Sequence, residues 1–400
     1  MLVAAILLTV SLLASLYAWV GYPVVLMIRS KRSSRAVWPR DIEPSVSVII
    51  PAHNRVEQIA AKLENTLALD YAPDRLEILV ASDGSTDGTD AVVERFADQR
   101  VRLLALPRRG KLIALQQAGR RARGDVLVFT DVNVALDPGA LRHLVRPLAD
   151  ILVGGVCGAR KVRRPETGDS GALGAVLLAR FEDWIKRLES RLGSVYAADA
   201  GLYAIRRSLF VPATNPAQAD DIAISARIVL GGKRLVYEPR AVCRKVTASD
   251  STSEFRRQMN VANYSFRALL DLRHELVRRH GYGWQLFSHT IARDLVPVFL
   301  AVALFSSAFL STAHALFAAI LGVQVLFHSL AYAGWRLRHA RLGRWPLFAV
   351  PFFFVAYNGA GLLGVLGAVH GIRPVGATRT GYHSPFLANR FMKASRTGGG

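Results

Sequence analysis

Long apolar segments at both ends of the chain enclose a more polar middle. Residues 1–28 contain no charged side chain, and Arg29, Lys31, Arg32 and Arg35 come directly after them. About 20 apolar residues are enough to span a bilayer, whereas a secretory signal peptide has a basic start and a shorter apolar core. The pattern therefore predicts a membrane anchor, and the basic residues favour a cytoplasmic position for the polar middle of the chain. The alternative for this segment is a helix buried in a protein core.

A second apolar region extends from Leu295 to Val369 and is interrupted by the basic sequence RLRHARLGR at residues 336–344. The part before the interruption is long enough for two spans with a turn near Ser311, and the part from Leu347 onward is long enough for a third. The basic loop favours the cytoplasmic side, in agreement with the N-terminal anchor. We therefore predict one span before the polar middle and three after it.

The middle of the chain, roughly residues 44–270, alternates between strand and helix patterns. Short apolar runs rich in β-branched residues predict strands at 47–51, 76–80, 101–106 and 126–129. Apolar residues at helical spacing predict helices at 56–67, 92–96 and 111–122. Strands that alternate with helices indicate an α/β fold with a mostly parallel sheet and helices on both faces. Ligands of such sheets bind beyond the carboxyl ends of the strands.

The chain is strongly basic, with 51 lysines and arginines against 30 aspartates and glutamates. Such an excess is typical of proteins that meet nucleic acid, an anionic membrane surface or phosphorylated substrates. Residues 254–279, EFRRQMNVANYSFRALLDLRHELVRR, combine apolar and basic residues next to a predicted span. A basic amphipathic segment in that position is expected to lie among lipid headgroups. We expect membrane lipids as partners and no nucleic acid, because nucleic-acid binding would need base-stacking aromatics in a soluble context.

Cys157 and Cys243 are the only two cysteines, and neither belongs to a CxxC motif or has a histidine at metal-binding spacing. This pattern predicts neither a zinc site nor a disulfide framework. We expect two reduced thiols on the cytosolic side of the membrane.

A polar turn comes after the second predicted strand in the sequence LVASDGSTDGTD at residues 79–90. Asp83 would lie just beyond the strand, where its carboxylate can accept a hydrogen bond from a base N–H or a ribose hydroxyl. Gly84 would let the backbone of the turn approach the ligand closely. These features favour a nucleotide-binding turn. The alternative is an Asx turn in which Asp87 to Thr89 cap the next helix.

A second polar sequence, Thr130-Asp131-Val132-Asn133, comes after the strand at 126–129. Asp131 and Asn133 offer a carboxylate and an amide oxygen, and Mg²⁺ takes oxygen ligands while it keeps waters and substrate phosphates in its shell. The basic sequence at 108–111, Arg-Arg-Gly-Lys, lies between the two polar strand ends and opens a predicted helix, which suits a diphosphate. A solvated basic loop is the alternative for these residues. Together the three features favour a site for a metal-bound nucleoside diphosphate.

These sequences, in this order, resemble the family 2 glycosyltransferases with the GT-A fold, in particular the membrane-bound enzymes related to polysaccharide synthases. The matching segments are SVIIPAHNR, ASDGSTDGT, RRGKLIALQQAG, GDVLVFTDVN, ESRLGSVYAADAGLYAIRRSLF and ADDIAISARIVLGGKRLVYEPRA. The resemblance implies a GT-A-type, mostly parallel sheet with flanking helices and an inverting sugar transfer from a UDP-sugar donor. It also implies Mg²⁺ or Mn²⁺ on the diphosphate, a saccharide or lipid-linked acceptor, and a catalytic domain on the cytoplasmic face of the inner membrane.

The resemblance implies donor-binding roles for several residues. The nucleoside pocket would be lined by Pro51, Ala52, Asn54 and Asp83. Lys111 would lie near the nucleotide, and the metal would be reached by Asp131 and Asn133.

The catalytic pair implied by the resemblance is Asp220 and Asp221 in the sequence ADDIAISARIV. Asp221 would be the base, because an inverting transfer needs a carboxylate to take the proton of the acceptor hydroxyl. The same sequence has the pattern of a helix N-terminus. The two interpretations are compatible.

The sequence departs from the family pattern in three places. Asn133 replaces the last acid of the metal motif, and Ser82 stands where many relatives carry another aspartate. Processive synthases carry Gln-x-x-Arg-Trp after the base, whereas this chain reads Arg257-Gln258-Met259-Asn260-Val261, without the Arg and Trp at their slots. The resemblance therefore does not extend to polymerisation, and we expect transfer of one or a few sugars.

Two other functions remain as alternatives. One is a processive polysaccharide synthase with coupled export, whose partners the sequence does not name. The other is a membrane transporter with a nucleotide-binding regulatory domain, in which the polar groups inside the spans would do the chemistry. Those groups are His314, Gln324, His328 and Asn358. A dinucleotide-binding dehydrogenase is not indicated, because Pro-Ala-His-Asn comes after the first strand where GxGxxG would stand.

The chain accordingly divides into six predicted parts. They are a transmembrane anchor at 1–28, a basic linker at 29–43, a GT-A glycosyltransferase domain at 44–253, basic amphipathic interface helices at 254–294, transmembrane helices at 295–371 and a basic tail at 372–400. Four spans would place the basic tail outside the cell, against the orientation rule. Either the last apolar stretch is re-entrant or the rule is overridden.

Overall fold

An eight-stranded sheet forms the centre of the chain in the computed structural model, which describes residues 1–32, 35–97, 100–163, 171–211, 220–246, 251–278 and 280–372. Its strands are β1 Val46–Ala52, β2 Leu76–Asp83, β3 Val101–Leu106, β4 Val126–Phe129, β5 Ala135–Leu136, β6 Val153–Arg163, β7 Tyr203–Arg206 and β8 Arg234–Val246. Their spatial order is β3-β2-β1-β4-β7-β6-β8-β5. Apart from residue 372, the predicted basic tail lies outside the described residues.

Four of the seven strand pairings are parallel. Strand β1 pairs in parallel with β2 and β4, β2 pairs in parallel with β3, and β6 pairs in parallel with β8. The antiparallel pairings all involve the short strands β5 and β7. The predicted α/β fold with a mostly parallel sheet is confirmed.

The helices, in chain order, are α1 Leu2–Leu16, α2 Tyr22–Arg32, α3 Val56–Leu67, α4 Thr89–Glu94, α5 Lys111–Arg121, α6 Ala140–Val145, α7 Gly171–Leu192, α8 Asp220–Leu230, α9 Ser251–Asp271, α10 Arg273–Arg278, α11 His280–Leu286, α12 Ala292–Asp294, α13 Val296–Leu310, α14 Ala315–Arg336 and α15 Pro346–Val369. Short 3₁₀ turns lie at Pro73–Arg75, Arg146–Ala149, Arg207–Leu209 and Leu342–Arg344, and π turns at Tyr17–Gly21 and Phe287–Ile291. The helices predicted at 56–67 and 111–122 are confirmed within a residue, whereas α4 begins three residues before the predicted position.

Apolar cores lie on both faces of the sheet. Because side chains alternate along a strand, Val48 of β1 packs with Ile59 of α3 in the core on one face. Its neighbour Ile49 packs with Leu115 of α5 in the core on the other face. Both strand residues are fully buried, as expected when helices cover the two faces of a parallel sheet.

Three helices among the described residues are long and apolar enough to cross a membrane, namely Leu2–Arg32, which includes α1 and α2, and the helices α14 and α15. A fourth span results if Gly281–Asp294 and Val296–Leu310, which meet at 53°, are taken together. Helix α13 alone has 15 residues, about 22 Å at 1.5 Å per residue, short of the ~30 Å hydrocarbon core. The bend lies at Leu295, the predicted start of this span, because Pro297 has no N–H to bond the carbonyl of Arg293.

Helix α9, predicted to lie among lipid headgroups, packs against the membrane helix α15. Asn263 of α9 donates from Nδ2 to the carbonyl oxygens of Gly364 and Ile372, both at 3.1 Å. A Cβ atom at Gly364 would lie 2.3 Å from the carbonyl oxygen of Met259. The absence of a side chain at Gly364 therefore sets how closely the two helices approach.

A buried ionic network joins α7 to the membrane helices. His289 lies between two carboxylates, with Nε2 2.7 Å from Glu182 and Nδ1 3.0 Å from Glu189. Arg293 also bonds Glu182, and the Tyr22 hydroxyl donates to Glu189. Burial alone would raise the pKa of the Glu182 carboxyl, but His289 and Arg293 hold that pKa well below its ordinary value. Charges buried this deeply are tolerated because each has a partner.

The glycine contact between α9 and α15 predicts a position-specific loss of stability. Gly364→Val should push the Met259 backbone away and lower the free energy of unfolding by about 1–3 kcal/mol, the usual cost of overpacking. Gly359→Val is the matched control in the same helix, since a Cβ atom there meets nothing within 4 Å. Thermal unfolding in detergent measures both variants, and equal melting temperatures would contradict the close packing.

Candidate functional site

The sheet brings the predicted donor-binding residues to one edge. Strands β1, β2 and β4 lie side by side and run in the same direction, so their carboxyl ends meet. Pro51 and Ala52 pair with Ala81 and Ser82 at the end of β2. Asp83 is the last residue of that strand, three positions later than the predicted strand end. Asp131 comes just after the end of β4 at the same edge.

Asp83 is buried, with 3% of its surface exposed, and it accepts hydrogen bonds from the loop before α5. The N–H groups of Arg109 and Gly110 donate to its carboxylate at 2.7 and 2.9 Å, and the Arg108 guanidinium makes an ion pair with it. Gly84 has φ +65°, and a Cβ atom there would lie 2.8 Å from the Arg108 nitrogen. The backbone of Arg108 therefore packs closely against Gly84.

The turn after β2 is held against the start of α3. Asn54, at φ 51°, accepts from the Thr86 N–H at 2.9 Å. Asp87 accepts from the N–H of Thr89 at 3.0 Å and from the N–H of Val56 at 3.1 Å. The Asx-turn alternative therefore describes Asp87, and α4 begins at Thr89. It does not account for Asp83.

Asp131 faces a cation. Its carboxylate lies 3.0 Å from the Lys111 ammonium and is 29% exposed, and Asn133 is exposed two residues later. Among the described residues no group of three or more His, Cys, Asp or Glu side chains could hold a metal ion alone. A carboxylate and an amide oxygen nevertheless fit Mg²⁺ or Mn²⁺, because such ions accept water and phosphate oxygens as their remaining ligands.

Lys62 of α3 fastens the loop that carries Asp131. Its side chain is buried, and its ammonium donates to Thr130 Oγ1 at 3.0 Å and to the Val134 carbonyl at 2.7 Å. Burial lowers the pKa of Lys62 to about 8. The role of Lys62 was not predicted from the sequence, although Lys62 falls three residues after Ile59 on the buried face of an amphipathic helix.

A second buried cluster surrounds Asp199 in the segment expected on the acceptor side. One oxygen of its carboxylate lies 3.3 Å from both Arg160 and Lys186, and the other accepts from the Gly201 N–H at 3.0 Å. Burial would raise the pKa of Asp199, but the two cations hold it well below its ordinary value. The carbonyl of Gly201 in turn accepts from Thr130 Oγ1 at 2.8 Å. The acceptor-side turn and the Asp131 loop are therefore one hydrogen-bonded unit.

Asp221 lies at the start of α8, as the helix N-terminus interpretation expects, and its Oδ1 accepts from the Ile222 N–H at 2.8 Å. Burial, and next the carboxylates of Glu182 and Asp221, raise the pKa of Tyr196 well above its ordinary value. Ile222 packs with Ala197, so the start of α8 lies against the acceptor-side segment. The side chain of Asp220 lies outside the described residues.

The sheet and its flanking helices define a GT-A-type glycosyltransferase fold. The chain superimposes on a mannosyltransferase from Pyrobaculum calidifontis, solved with GDP-Man and Mn²⁺, with a TM-score of 0.65 over 89% of this chain and 99% of that one. At 24% sequence identity this likeness establishes the fold alone. The predicted fold class is confirmed.

A comparison with a family model identifies the family of residues 47–210. The model described as "Glycosyl transferase family 2" matches residues 47–210, so this part of the chain is a family 2 glycosyltransferase domain, as the sequence motifs indicate. Asp221 lies beyond the matched range.

Two groups of curated relatives are similar to this chain. A poly-beta-1,6-N-acetyl-D-glucosamine synthase of Staphylococcus aureus is 26% identical over 50% of this chain and 49% of its own. An N-acetylglucosaminyltransferase of Mesorhizobium japonicum is 27% identical over 65% of this chain and 64% of its own. The chain thus spans about half to two thirds of the length of these relatives.

The Lys62 contacts predict local loosening when the ammonium is removed. Lys62→Met leaves the Val134 carbonyl without its donor, so we expect opening of residues 130–136 to become easier by about 1–3 kcal/mol. Their amide hydrogens should then exchange about fivefold faster or more, as measured by mass spectrometry.

The matched control is Lys233→Met, because Lys233 also donates to a backbone carbonyl, that of Ile151 at 2.9 Å, but on the protein surface. It should leave exchange at 130–136 unchanged. Identical exchange in the two variants would show that Lys62 does not hold the loop.

Proposed function

We propose that this glycosyltransferase moves a sugar from a UDP-sugar to a saccharide or lipid-linked acceptor, with inversion, at the cytoplasmic face of the inner membrane. The observation that carries the proposal is the pair of cation-bound carboxylates at one sheet edge. Asp83 is bound by the 108–110 loop, and Asp131 is bound by Lys111 at the start of α5. The cations of these pairs match the negative diphosphate of the donor, and the Asp131 carboxylate matches its metal ion.

In this proposal each predicted donor-binding residue contacts one part of the nucleotide-sugar. Pro51, Ala52, Asn54 and Asp83 line the nucleoside pocket, as the family resemblance implies. The N-terminus of α5, which is the positive end of the helix dipole, and the Lys111 ammonium suit the diphosphate.

Asp131 and Asn133 would hold Mg²⁺ or Mn²⁺. When bound, the divalent ion supplies neutralisation of the charge that develops on the leaving nucleoside diphosphate. The mannosyltransferase from Pyrobaculum calidifontis was solved with Mn²⁺, which supports this choice of metals.

Asp221 acts as the base in the proposed reaction. Inversion requires the acceptor hydroxyl to attack the sugar carbon on the face opposite the diphosphate, and a carboxylate on the acceptor side takes the proton. The packing of Ile222, the residue after Asp221, with Ala197 of the acceptor-side segment supports this position.

The apolar helices support a membrane-bound enzyme whose catalytic domain faces the cytoplasm. Basic residues lie in the last turn of the first apolar helix and in the turn between α14 and α15, which is the distribution of cytoplasmic segments. Of the polar groups inside the spans, Gln324 donates to Ser307 at 3.0 Å and Asn358 to the Phe354 carbonyl at 2.7 Å. Their amide nitrogens thus have structural partners, whereas their amide oxygens are buried without one among the described residues.

The donor and the product remain to be identified by experiment. Purified protein in detergent is screened with UDP-sugars and GDP-sugars for metal-dependent release of the nucleotide, and the product is analysed by mass. UDP-N-acetylglucosamine is the first donor to test, because two groups of relatives carry N-acetylglucosamine in their names. Release of UDP with one or a few sugars added supports the proposal, whereas a long polymer supports the processive alternative.

The first prediction for this site concerns the metal. Asp131→Ala should abolish transfer and weaken UDP binding in the presence of Mn²⁺, but leave binding in chelator unchanged. Asp125→Ala is the control, because Asp125 precedes β4 at the opposite edge of the sheet. Calorimetry with UDP measures the binding, and full turnover by Asp131→Ala would remove this residue from the site.

The second prediction separates the base from donor binding. Asp221→Asn should bind UDP normally and lose transfer by about 10²-fold or more, the range of general base catalysis. Asp220→Asn should lose less. Equal losses in the two variants, or loss of UDP affinity in Asp221→Asn, would contradict the assignment.

A further inference from the structure

Helix α15 is apolar enough to cross a membrane, yet it is more buried by protein than the other long apolar helices. In its apolar stretch 39% of the residues are buried, against 17% in the N-terminal helix and 11% in α14. The residues that bury α15 show where it lies relative to the catalytic domain.

Two glycines fix the first half of α15. A Cβ atom at Gly334, near the end of α14, would clash with the carbonyl oxygen of Phe348 in the first turn of α15. Farther along α15, a Cβ atom at Gly361 would clash with the carboxylate of Asp294, which lies just before α13. The helix therefore touches the end of α14 and the start of α13 at two points about 20 Å apart along its axis.

These two contacts lie at the same level of the membrane helices. Helices α13 and α14 form a hairpin, because a short turn joins them and Gln324 of α14 donates to Ser307 of α13 at 3.0 Å. Gly334 and Asp294 are roughly equally far from that pair along the two helices, toward the catalytic domain. Between its two contacts α15 thus runs for about 20 Å without advancing toward the other side of the membrane.

The second half of α15 runs beside α9 in the same direction. Phe352 of α15 lines a narrow pocket together with Phe255, near the start of α9. Farther along both helices, the Arg267 guanidinium of α9 donates to the Ile372 carbonyl, just beyond α15, at 3.0 Å. Helix α15 is therefore paired with α9 up to its end.

Helix α9 lies on the side of the membrane that holds the catalytic domain. Its Ala268 packs with Ala197 and Ile222 of that domain, and α9 follows closely after β8 in the chain. It also carries charged residues near both ends, among them Arg256 and Asp271, which are costly in the hydrocarbon core. A helix that is paired with α9 up to its end stays on the same side.

The face of α15 that points away from α9 is apolar and exposed. Val355, Leu366 and Val369 recur at helical spacing, and 37, 43 and 61% of their surfaces are exposed. A Cβ atom at Gly359, on the same face, meets nothing within 4 Å among the described residues. An exposed apolar face beside membrane-spanning helices fits the acyl chains of lipids.

We infer that α15 lies within the membrane leaflet next to the catalytic domain and does not cross the bilayer. One face packs on α9, and the opposite face packs on the acyl chains of that leaflet. Ile372, where the predicted basic tail begins, is then on the same side as the catalytic domain. This arrangement satisfies the orientation rule that four spans would break.

Labelling of single introduced cysteines tests the side of the helix end. The full-length protein is treated in spheroplasts with a membrane-impermeant maleimide, before and after permeabilisation. His370→Cys reports the end of α15, Asp74→Cys the catalytic domain and Ala313→Cys the turn between α13 and α14, and all three positions are exposed. The native Cys157 and Cys243 are buried and give little background.

His370→Cys should behave like Asp74→Cys and opposite to Ala313→Cys. Labelling of His370→Cys on the same side as Ala313→Cys overturns the inference. The comparison with Asp74→Cys also separates the inference from the proposed orientation. If Asp74→Cys is labelled in intact spheroplasts, the cytoplasmic position of the catalytic domain is wrong, whereas α15 is still judged by whether His370→Cys follows Asp74→Cys.

A depth measurement decides the case in which His370→Cys reacts on neither side. Nitroxide labels at Val355→Cys and Leu366→Cys in reconstituted protein should lie at one shallow depth, measured by access of oxygen and of a water-soluble nickel complex. Leu316→Cys and Leu326→Cys in α14 are the matched pair, because Leu326 is near the middle of a span and should lie deeper than Leu316. A label at Val355 as deep as that at Leu326 overturns the inference.

Discussion

One face of α7 connects the Asp199 cluster with the membrane helices. Glu182, Lys186 and Glu189 are spaced four and three residues apart, so they lie on the same side of this helix. The two glutamates bond His289 of the membrane region, while the lysine makes an ion pair with Asp199. A shift of α7 would unpair charges at both ends. Since leaving a buried charge without its partner costs about 3–5 kcal/mol, this helix fixes the position of the sheet on the membrane helices.

The attachment of α7 also positions the loop that carries Asp131. Asp199 orients the Gly201 turn, and Gly201 bonds Thr130, which Lys62 also holds from the opposite side. The loop with Asp131 is therefore anchored both to α3 and, through Asp199, to α7. Preorganised carboxylates of this kind need no rearrangement of the backbone to meet a charged donor.

The parts of the fold that could be predicted from sequence are those with local patterns. Strands β1 to β4 and the helices between them are predicted by alternation and helical spacing, and Asp83 and Asp131 stand out because polar residues end apolar strands. The short strands β5 and β7 carry too few residues for a pattern, and β7 pairs with β6 about 50 positions earlier in the chain. Partners such as Lys62 with Thr130, 68 residues apart, appear only after the sheet is assembled.

Two ion pairs balance the charges of the carboxylates at the proposed donor site. Lys111 and Arg108 now face Asp131 and Asp83, so neither carboxylate is left without a counter-charge. In the proposed function donor binding exchanges these partners, because Lys111 turns to the diphosphate while Asp131 is released to a divalent ion. Lys111 and Asp131 would therefore each keep a partner of opposite charge after the donor binds.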